Sequence, residues 1–180
     1  MKNKPLIIAL TGAESTGKTT LAEALSKHYK VPFVPEFARE YVKNLNKKYT
    51  FDDIELIAEN QIDQYKQQVS LENPLVILDT WLLITKVWFE VVFGQSPEWL
   101  EEKIRNTKID LFLVCDTDLP WEDDGIRENG GENRLRLQEK YLVEIKKYGF
   151  PYSFVRGTGN NRVQNAINCI DSLLDQNQQN

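Results

Sequence analysis

The sequence contains few of the side chains that build disulfide frameworks or zinc sites. Its 180 residues include two cysteines, Cys115 and Cys169, and a single histidine, His28. Two cysteines do not make the disulfide framework of a small secreted domain, and one histidine without a Cys/His cluster argues against a zinc site. Cys115 falls in the apolar run LFLVC and Cys169 on the apolar face of the last predicted helix. We therefore expect both to be buried structural thiols.

Long apolar runs and an excess of positive charge are also absent. Runs such as LVIL (75–78) are far too short to cross a membrane. The N-terminal apolar run ends in a glycine loop without a small-residue cleavage site, which favours a strand over a secretory signal. We expect a cytoplasmic protein with no membrane partner. The net charge of −5 argues against general nucleic-acid binding, which needs a basic face, so any cations that bind phosphate must be concentrated locally.

Strand-like runs and helical patterns alternate along the chain. The strand-like runs are apolar without alternation, as in parallel strands covered on both faces, and they occupy 5–11, 32–35, 74–80, 110–117 and 152–157. Helical patterns occupy 18–29, 36–47, 52–70, 80–93, 98–106, 132–148 and 161–175. This order predicts one doubly wound α/β domain over residues 1–175, followed by a polar tail at 176–180. The long glycine-containing segment 118–136 is typical of a functional lid.

A glycine-rich loop follows the first predicted strand. GAESTGKT (12–19) fits the pattern G-x-x-x-x-G-K-[ST], and an amphipathic helical pattern follows it. In such a loop the backbone N–H groups and the helix N-terminus surround the β-phosphate, the lysine reaches the β/γ oxygens, and the hydroxyl binds Mg²⁺. The predicted ATP-binding residues are Gly12, Ala13, Glu14, Ser15, Thr16, Gly17, Lys18, Thr19 and Thr20.

The loop alone does not specify the nucleotide or the reaction. GTPases share the same pattern, and a chance match in a glycine-rich turn is the alternative to any phosphate-binding function. The stretch NTKID (106–110) is not the N-K-x-D guanine signature. ATP is therefore favoured over GTP.

Three further stretches follow the loop in a fixed order. They are EFAREY (36–41) after the second strand, LDT (78–80) at the end of the third, and PWEDDGIR (120–127) after the fourth. Together with the loop, they resemble the ribosylnicotinamide kinase domain of NadR-type proteins, and the resemblance extends from Leu6 to about Ile170. It implies a three-layer P-loop kinase fold with a five-stranded parallel sheet of order 2-3-1-4-5 and a helical lid. It also implies transfer of the γ-phosphoryl group of ATP to the 5′-hydroxyl of nicotinamide riboside, with Mg²⁺ as the ion bound with ATP.

The resemblance implies roles for two carboxylates. Asp79 would hold Mg²⁺ together with Thr19, and its structural alternative is to cap the helix that follows. Glu36 would receive the proton of the acceptor hydroxyl, and its alternative is a solvated glutamate favoured by the helix dipole. Arg39 would contact substrate or phosphate, with a surface ion pair as its alternative.

The lid would carry further site residues. Arg127 and Arg134, with Arg136 less firmly assigned, would close over the triphosphate and screen the charge that develops during transfer. Trp121 would stack on a substrate ring or anchor the lid by packing.

Two predictions concern the third and fourth helical patterns. Gln61 would bind a substrate carboxamide, unless it lies on a polar surface. The helical stripe of Trp81, Thr85, Trp88 and Val92 is interpreted as core. Two functional alternatives stay open beside the leading one, namely a kinase for another nucleoside and a nucleotide-gated binding module that uses its ATP state as a switch.

Overall fold

Five parallel strands form the centre of the structure, a computed structural model that describes residues 4–71, 73–123 and 128–178. The strands are β1 (Leu6–Thr11), β2 (Phe33–Val34), β3 (Leu75–Asp79), β4 (Leu111–Cys115) and β5 (Tyr152–Val155). Their order in the sheet is β2-β3-β1-β4-β5. The predicted strand order 2-3-1-4-5 is confirmed.

Helices cover both faces of this sheet. They are α1 (Lys18–Tyr29), α2 (Phe37–Asn44), α3 (Phe51–Ser70), α4 (Leu82–Phe93), α5 (Glu98–Asn106), α6 (Gly131–Tyr148) and α7 (Gly159–Gln178). One core packs α1 and α7 on the sheet, and the other packs α3 to α6 on the opposite face. Strand β1 shows why its sequence lacks alternation, because Ile7 and Ala9 enter one core while Ile8 and Leu10 enter the other.

The element boundaries differ from the prediction mainly at the ends. Helix α7 continues to Gln178, beyond the predicted end at 175. Within the proposed lid segment, residues 118–123 and 128–130 are not helical, and the helix begins only at Gly131. The description "helical lid" therefore fits only the last part of the segment.

The remaining predictions from composition concern cysteine and the membrane. Cys115 is buried, as predicted, whereas Cys169 is only half-buried at the edge of the core formed with α1 and α7. Within the described residues both are free thiols. No helix in the described part of the chain combines the length and apolar character that a membrane crossing requires.

The fold positions the site through its parallel strands. The carboxyl ends of β1, β2 and β3 lie at one edge of the sheet, where Leu10 of β1 is in register with Asp79 of β3. The glycine loop leaves β1 at this edge, and Glu36 follows β2. In open parallel sheets this edge is the usual ligand-binding crevice.

Candidate active site

The phosphate loop occupies the turn between β1 and α1. Its backbone needs glycine at both conserved positions of the pattern. Gly12 has φ 137°, and a Cβ there would lie 2.6 Å from the carbonyl oxygen of Cys115. Gly17 has φ 73° and precedes the first residue of α1. Because Gly17 has no side chain to cap the helix, the first amides of α1 are left to bind an anion.

Lys18 lies across this loop. Its ammonium group donates hydrogen bonds to the carbonyls of Gly12 and Ala13, both at 2.9 Å. The residue also lines a cavity of about 330 Å³ that opens over the loop. The ammonium group can therefore exchange backbone carbonyls for phosphate oxygens with a small movement.

Thr19 and Asp79 meet at the start of α1. The Thr19 hydroxyl donates to Asp79 Oδ2 at 2.6 Å. Burial raises the pKa of Asp79, against the opposing effects of the Thr19 hydrogen bond and Lys18. The other oxygen, Oδ1, is buried and accepts no hydrogen bond from the described part of the protein. A buried carboxylate oxygen beside a hydroxyl, both next to a phosphate loop, is a donor set that fits Mg²⁺.

The alternative role of Asp79 as a helix cap is not what the structure shows. The N-cap residue of α4 is Trp81. The carboxylate of Asp79 faces Thr19 instead.

Glu36 lines the same cavity. It is the N-cap residue of α2, but its side chain makes no capping hydrogen bond. It is half-buried, and burial raises the pKa of its carboxyl group, although Lys18 and Arg39 pull in the opposite direction. Arg39 is exposed and also lines the cavity. The structure therefore brings Lys18, Glu36 and Arg39 to one cavity, and their phosphate and acceptor roles stay predictions.

Outside the phosphate loop, the lining of the cavity is mainly apolar and aromatic. Its described lining includes Ala38, Val42, Tyr49, Ile84, Trp88, Val91, Val92, Leu137 and Tyr141. Tyr49 and Trp88 meet edge to face with ring centroids 4.9 Å apart. The Tyr49 hydroxyl donates to Glu128 Oε2 at 3.2 Å, and Glu128 also lines the cavity.

The sequence analysis did not predict that these residues line the site. The helical stripe in α4 was interpreted as core, and its first members, Trp81 and Thr85, are indeed buried. Further along the same helix, Trp88 and Val92 reach the cavity. The available signal was that this helical stripe begins at Trp81, two residues after Asp79, one of the predicted metal ligands.

The lid segment contacts the phosphate loop at several points. The Glu14 carboxylate accepts hydrogen bonds from the Asn129 backbone N–H at 2.9 Å and from the Asn129 side chain at 3.2 Å. The Ser15 hydroxyl donates to the Glu122 carbonyl and accepts from the Glu122 N–H. Glu14 and Ser15 of the phosphate loop thus each bind the segment that was predicted to be a lid.

Arg134 is buried and supports the loop from α6. Its Nε and Nη2 donate to the carbonyls of Glu14 and Ser15, both at 2.9 Å, and Nη1 donates to the carbonyl of Leu119 at 2.7 Å. It is not among the described residues that line the cavity. Its contact with the triphosphate stays a prediction, and so does that of Arg127, which lies outside the described residues.

Two predicted substrate ligands lie outside the described lining of the cavity. Trp121 packs its ring against Gly130, where an added Cβ would lie 3.3 Å away, so the observed contact is the packing alternative. Gln61 is buried and accepts a hydrogen bond from the Thr85 hydroxyl at 2.7 Å. It borders a separate, much smaller cavity beside Asp79. Its predicted role as a substrate ligand is not supported by this position, and neither is its alternative on a polar surface.

Two residues that the sequence did not suggest hold the phosphate loop from behind. Gln138 of α6 accepts from the Ala13 N–H at 2.9 Å and donates to the Cys115 carbonyl at 3.1 Å. Arg162 of α7 donates to the Thr16 carbonyl at 2.8 Å. Both are long polar side chains that are buried in the fold.

Two curated relatives are similar to the chain. The trifunctional NAD biosynthesis/regulator protein NadR of Salmonella typhimurium is 24% identical over 144 residues, which cover 78% of this chain and 35% of that protein. NadR of Escherichia coli is 23% identical over 172 residues, which cover 93% of this chain and 42% of that protein. The chain therefore spans less than half the length of these relatives.

Solved structures share the fold. A NadR structure in complex with NAD and AMP-PNP matches with a TM-score of 0.74 and 25% identity, covering 93% of this chain and 49% of that one. A NadR structure in complex with NR matches with a TM-score of 0.79 and 24% identity, covering 93% and 50%. A deoxyadenosine kinase from M. mycoides matches with a TM-score of 0.68 and 20% identity, covering 93% and 100%.

These similarities agree with the resemblance found in the sequence motifs. A match to a family profile assigns the chain to a family. The profile of a family described as an AAA domain matches residues 7–162, which is well over half of the chain. The chain belongs to this AAA-domain family.

Proposed function

We propose that the chain transfers the γ-phosphoryl group of ATP to the 5′-hydroxyl of nicotinamide riboside. One observation carries this proposal. A single cavity is lined by the phosphate loop, by Glu36, and by apolar and aromatic residues that include Tyr49 and Trp88 and that we call the acceptor end. A nucleotide switch needs the phosphate loop alone, whereas a kinase also needs a space for the acceptor beside a carboxylate. The NadR structures with AMP-PNP and with NR support the same choice.

The chain's own residues supply positioning and charge, which are what phosphoryl transfer mainly requires. The loop amides and Lys18 would bind the β- and γ-phosphates. Thr19 and Asp79 would hold Mg²⁺, which neutralises charge on the phosphate oxygens when bound. Glu36 would orient the acceptor hydroxyl and accept its proton. Because burial raises the pKa of Glu36, its carboxylate is a stronger base than an exposed glutamate.

The acceptor end of the cavity suits a ring with a positive charge. The nicotinamide ring of the riboside is a pyridinium cation, whereas the bases of the common nucleosides are neutral. Tyr49 and Trp88 offer electron-rich ring surfaces, and Glu128 adds a carboxylate beside them. Cation–π attraction and the carboxylate charge would both favour the pyridinium ring.

The experiment is an ATP-consumption assay with Mg²⁺ over a small panel of acceptors. We expect nicotinamide riboside to give a higher kcat/KM than adenosine, cytidine or uridine. The reduced riboside, in which the ring is neutral but similar in size, is the matched comparison and should react more slowly. A clearly higher kcat/KM for another nucleoside would contradict the acceptor assignment. ATP turnover that does not depend on any acceptor would contradict the kinase assignment.

A second candidate function is a kinase for a different nucleoside. The deoxyadenosine kinase from M. mycoides matches over its whole length, so the fold alone is compatible with that activity. The same panel distinguishes the two candidates when deoxyadenosine is added to it.

A further inference from the structure

A buried arginine lies directly behind the phosphate loop. Arg162, in the first turn of α7, exposes only 4% of its surface. Its Nη2 donates to the carbonyls of Thr16 and Asp116 at 2.8 and 3.0 Å, and its Nη1 donates to the carbonyl of Gly157 at 3.0 Å. One guanidinium group therefore joins the phosphate loop, the end of β4 and the turn after β5.

Asp118 holds the guanidinium group in place. Its Oδ1 accepts from Arg162 Nη1 at 2.6 Å, and its Oδ2 accepts from the Gly157 backbone N–H at 2.6 Å. Burial acts to raise the pKa of Asp118, but the hydrogen bonds from Gly157 and Arg162 keep it below its usual range. The buried cation is thus paired with an ionised carboxylate that is itself hydrogen-bonded, as a buried charge requires.

The contact with Thr16 sets the direction of one peptide unit. In a trans peptide the carbonyl and the N–H of the same unit point in opposite directions. The Thr16 carbonyl points at Arg162, so the N–H of Gly17 points away from it. Gly17 lines the cavity, whereas Arg162 lies outside the described lining. The arginine cannot bind the nucleotide directly from this position, but it can decide where a loop amide points.

We propose that Arg162, held by Asp118, is a positioning residue that keeps the Gly17 amide directed at the phosphates of the nucleotide. The inference rests on the proposed binding of a nucleoside triphosphate at this loop. It predicts an effect on polyphosphate affinity that is independent of the acceptor. A residue with a purely structural role would lower the melting temperature and leave the affinity of the folded protein unchanged.

The test uses the full chain and two ligands, ATP and inorganic tripolyphosphate, each with Mg²⁺ in a calorimetric titration. Arg162→Lys keeps the charge but loses the planar fork that contacts Thr16, Asp116 and Gly157 at once. We expect it to weaken binding of both ligands by about ten-fold or more, the scale of one charge-assisted hydrogen bond. Arg105→Lys makes the same change on the exposed surface of α5 and should leave both affinities unchanged.

A second variant keeps the proposal testable if Arg162→Lys does not fold. Asp118→Asn keeps the shape but removes the charge that holds the guanidinium group, and we expect at least about a three-fold loss of tripolyphosphate affinity. The KM for the acceptor should not change in either variant. Tripolyphosphate affinity within two-fold of wild type, in whichever variant folds, would overturn the proposal. If the wild-type chain and the Arg105→Lys control bound neither ATP nor tripolyphosphate, the proposed function itself would fail, and the proposal about Arg162 would fail with it.

Discussion

The two ends of the cavity are built from different parts of the chain. The phosphate end is one continuous loop, and its contacts with a ligand would come mainly from backbone N–H groups. The acceptor end is assembled from side chains of α2, α4, α6 and the segment before α3. The phosphate end contains glycines with positive φ, whereas the acceptor end contains large aromatic and branched residues.

This difference shows how binding and selectivity are divided. Phosphate is the same group in every nucleotide, so a loop of amides with fixed spacing is sufficient to bind it. An acceptor is distinguished by the shape and charge of its ring, which backbone atoms cannot read. Substitutions at the phosphate end should therefore affect every substrate pair alike, whereas substitutions at the acceptor end should change the choice among acceptors.

The largest expected effect is at Lys18. Lys18→Ala removes the charge beside the β- and γ-phosphates and should lower kcat/KM by at least about 10³-fold with every acceptor. Lys27→Ala, on the exposed side of the same helix, is the matched control and should have wild-type kinetics. Steady-state kinetics together with circular dichroism check both variants. Turnover within a few-fold of wild type in folded Lys18→Ala would contradict the phosphate-loop assignment.

The next effect is at Glu36, a carboxylate that lines the same cavity. Glu36→Gln keeps the shape and removes the base, so kcat should fall by at least about 10²-fold. ATP affinity should stay close to wild type, because the residue faces the acceptor. Glu40→Gln, on the exposed surface of α2, serves as the control. Near-normal turnover in Glu36→Gln would mean that Asp79 is the base, or that the transition state is loose enough to need no base.

A smaller effect is expected at Trp88. Trp88→Ala removes one of the two aromatic rings at the acceptor end and should raise the KM for nicotinamide riboside by roughly three- to thirty-fold, the range of a cation–π contact. The KM for ATP should not change. Trp99→Ala removes a half-buried tryptophan from α5, where its indole N–H donates to Glu55, and controls for lost packing. Equal increases in both KM values for Trp88→Ala would contradict the division between the ends.

The smallest effect is a difference in the pH dependence of stability. Because burial raises the pKa of Glu36 in the folded state, its ionisation destabilises the fold as pH rises from the ordinary glutamate value through the folded value. The Glu36→Gln variant loses no stability in this way, because glutamine does not ionise. The melting temperature of the variant relative to wild type should therefore increase as the pH rises above the ordinary pKa of glutamate. A constant difference would show that Glu36 has an ordinary pKa, and a decreasing difference would show that its pKa is lowered in the folded state.

The sequence predicted the phosphate end in detail because that end is local. The glycine spacing, the preceding apolar strand and the following helix all lie within a short stretch of sequence. Asp79 could be identified as well, because it is the last residue of the apolar strand β3. The strand order required the resemblance to a known family, since composition and periodicity do not determine which strands are neighbours.

The acceptor end was less predictable because helical periodicity indicates which face of a helix is buried. It does not indicate whether that face packs in the core or lines a cavity. Trp88 lies on the same helical stripe as the core residue Trp81. Apolar residues that line a cavity recur at the same helical spacing as apolar residues that pack in the core. Gln61 was assigned to a substrate for its amide group, and Arg134 to the triphosphate for its place in the predicted lid, yet their observed partners are Thr85 and backbone carbonyls. A single sequence does not reveal which polar groups satisfy one another across the fold.

The support of the phosphate loop by Gln138 and Arg162 has a consequence for how the protein matures. The loop is synthesised well before the side chains that hold it, which lie 125 and 146 positions later in the chain. Contacts between such distant residues form late in folding because closing a long loop costs entropy. The nascent chain should therefore carry a complete motif long before it has a working site. Nucleotide affinity would then report that α7 has docked on the phosphate loop, so that ATP stabilises the folded domain and not a partly synthesised one.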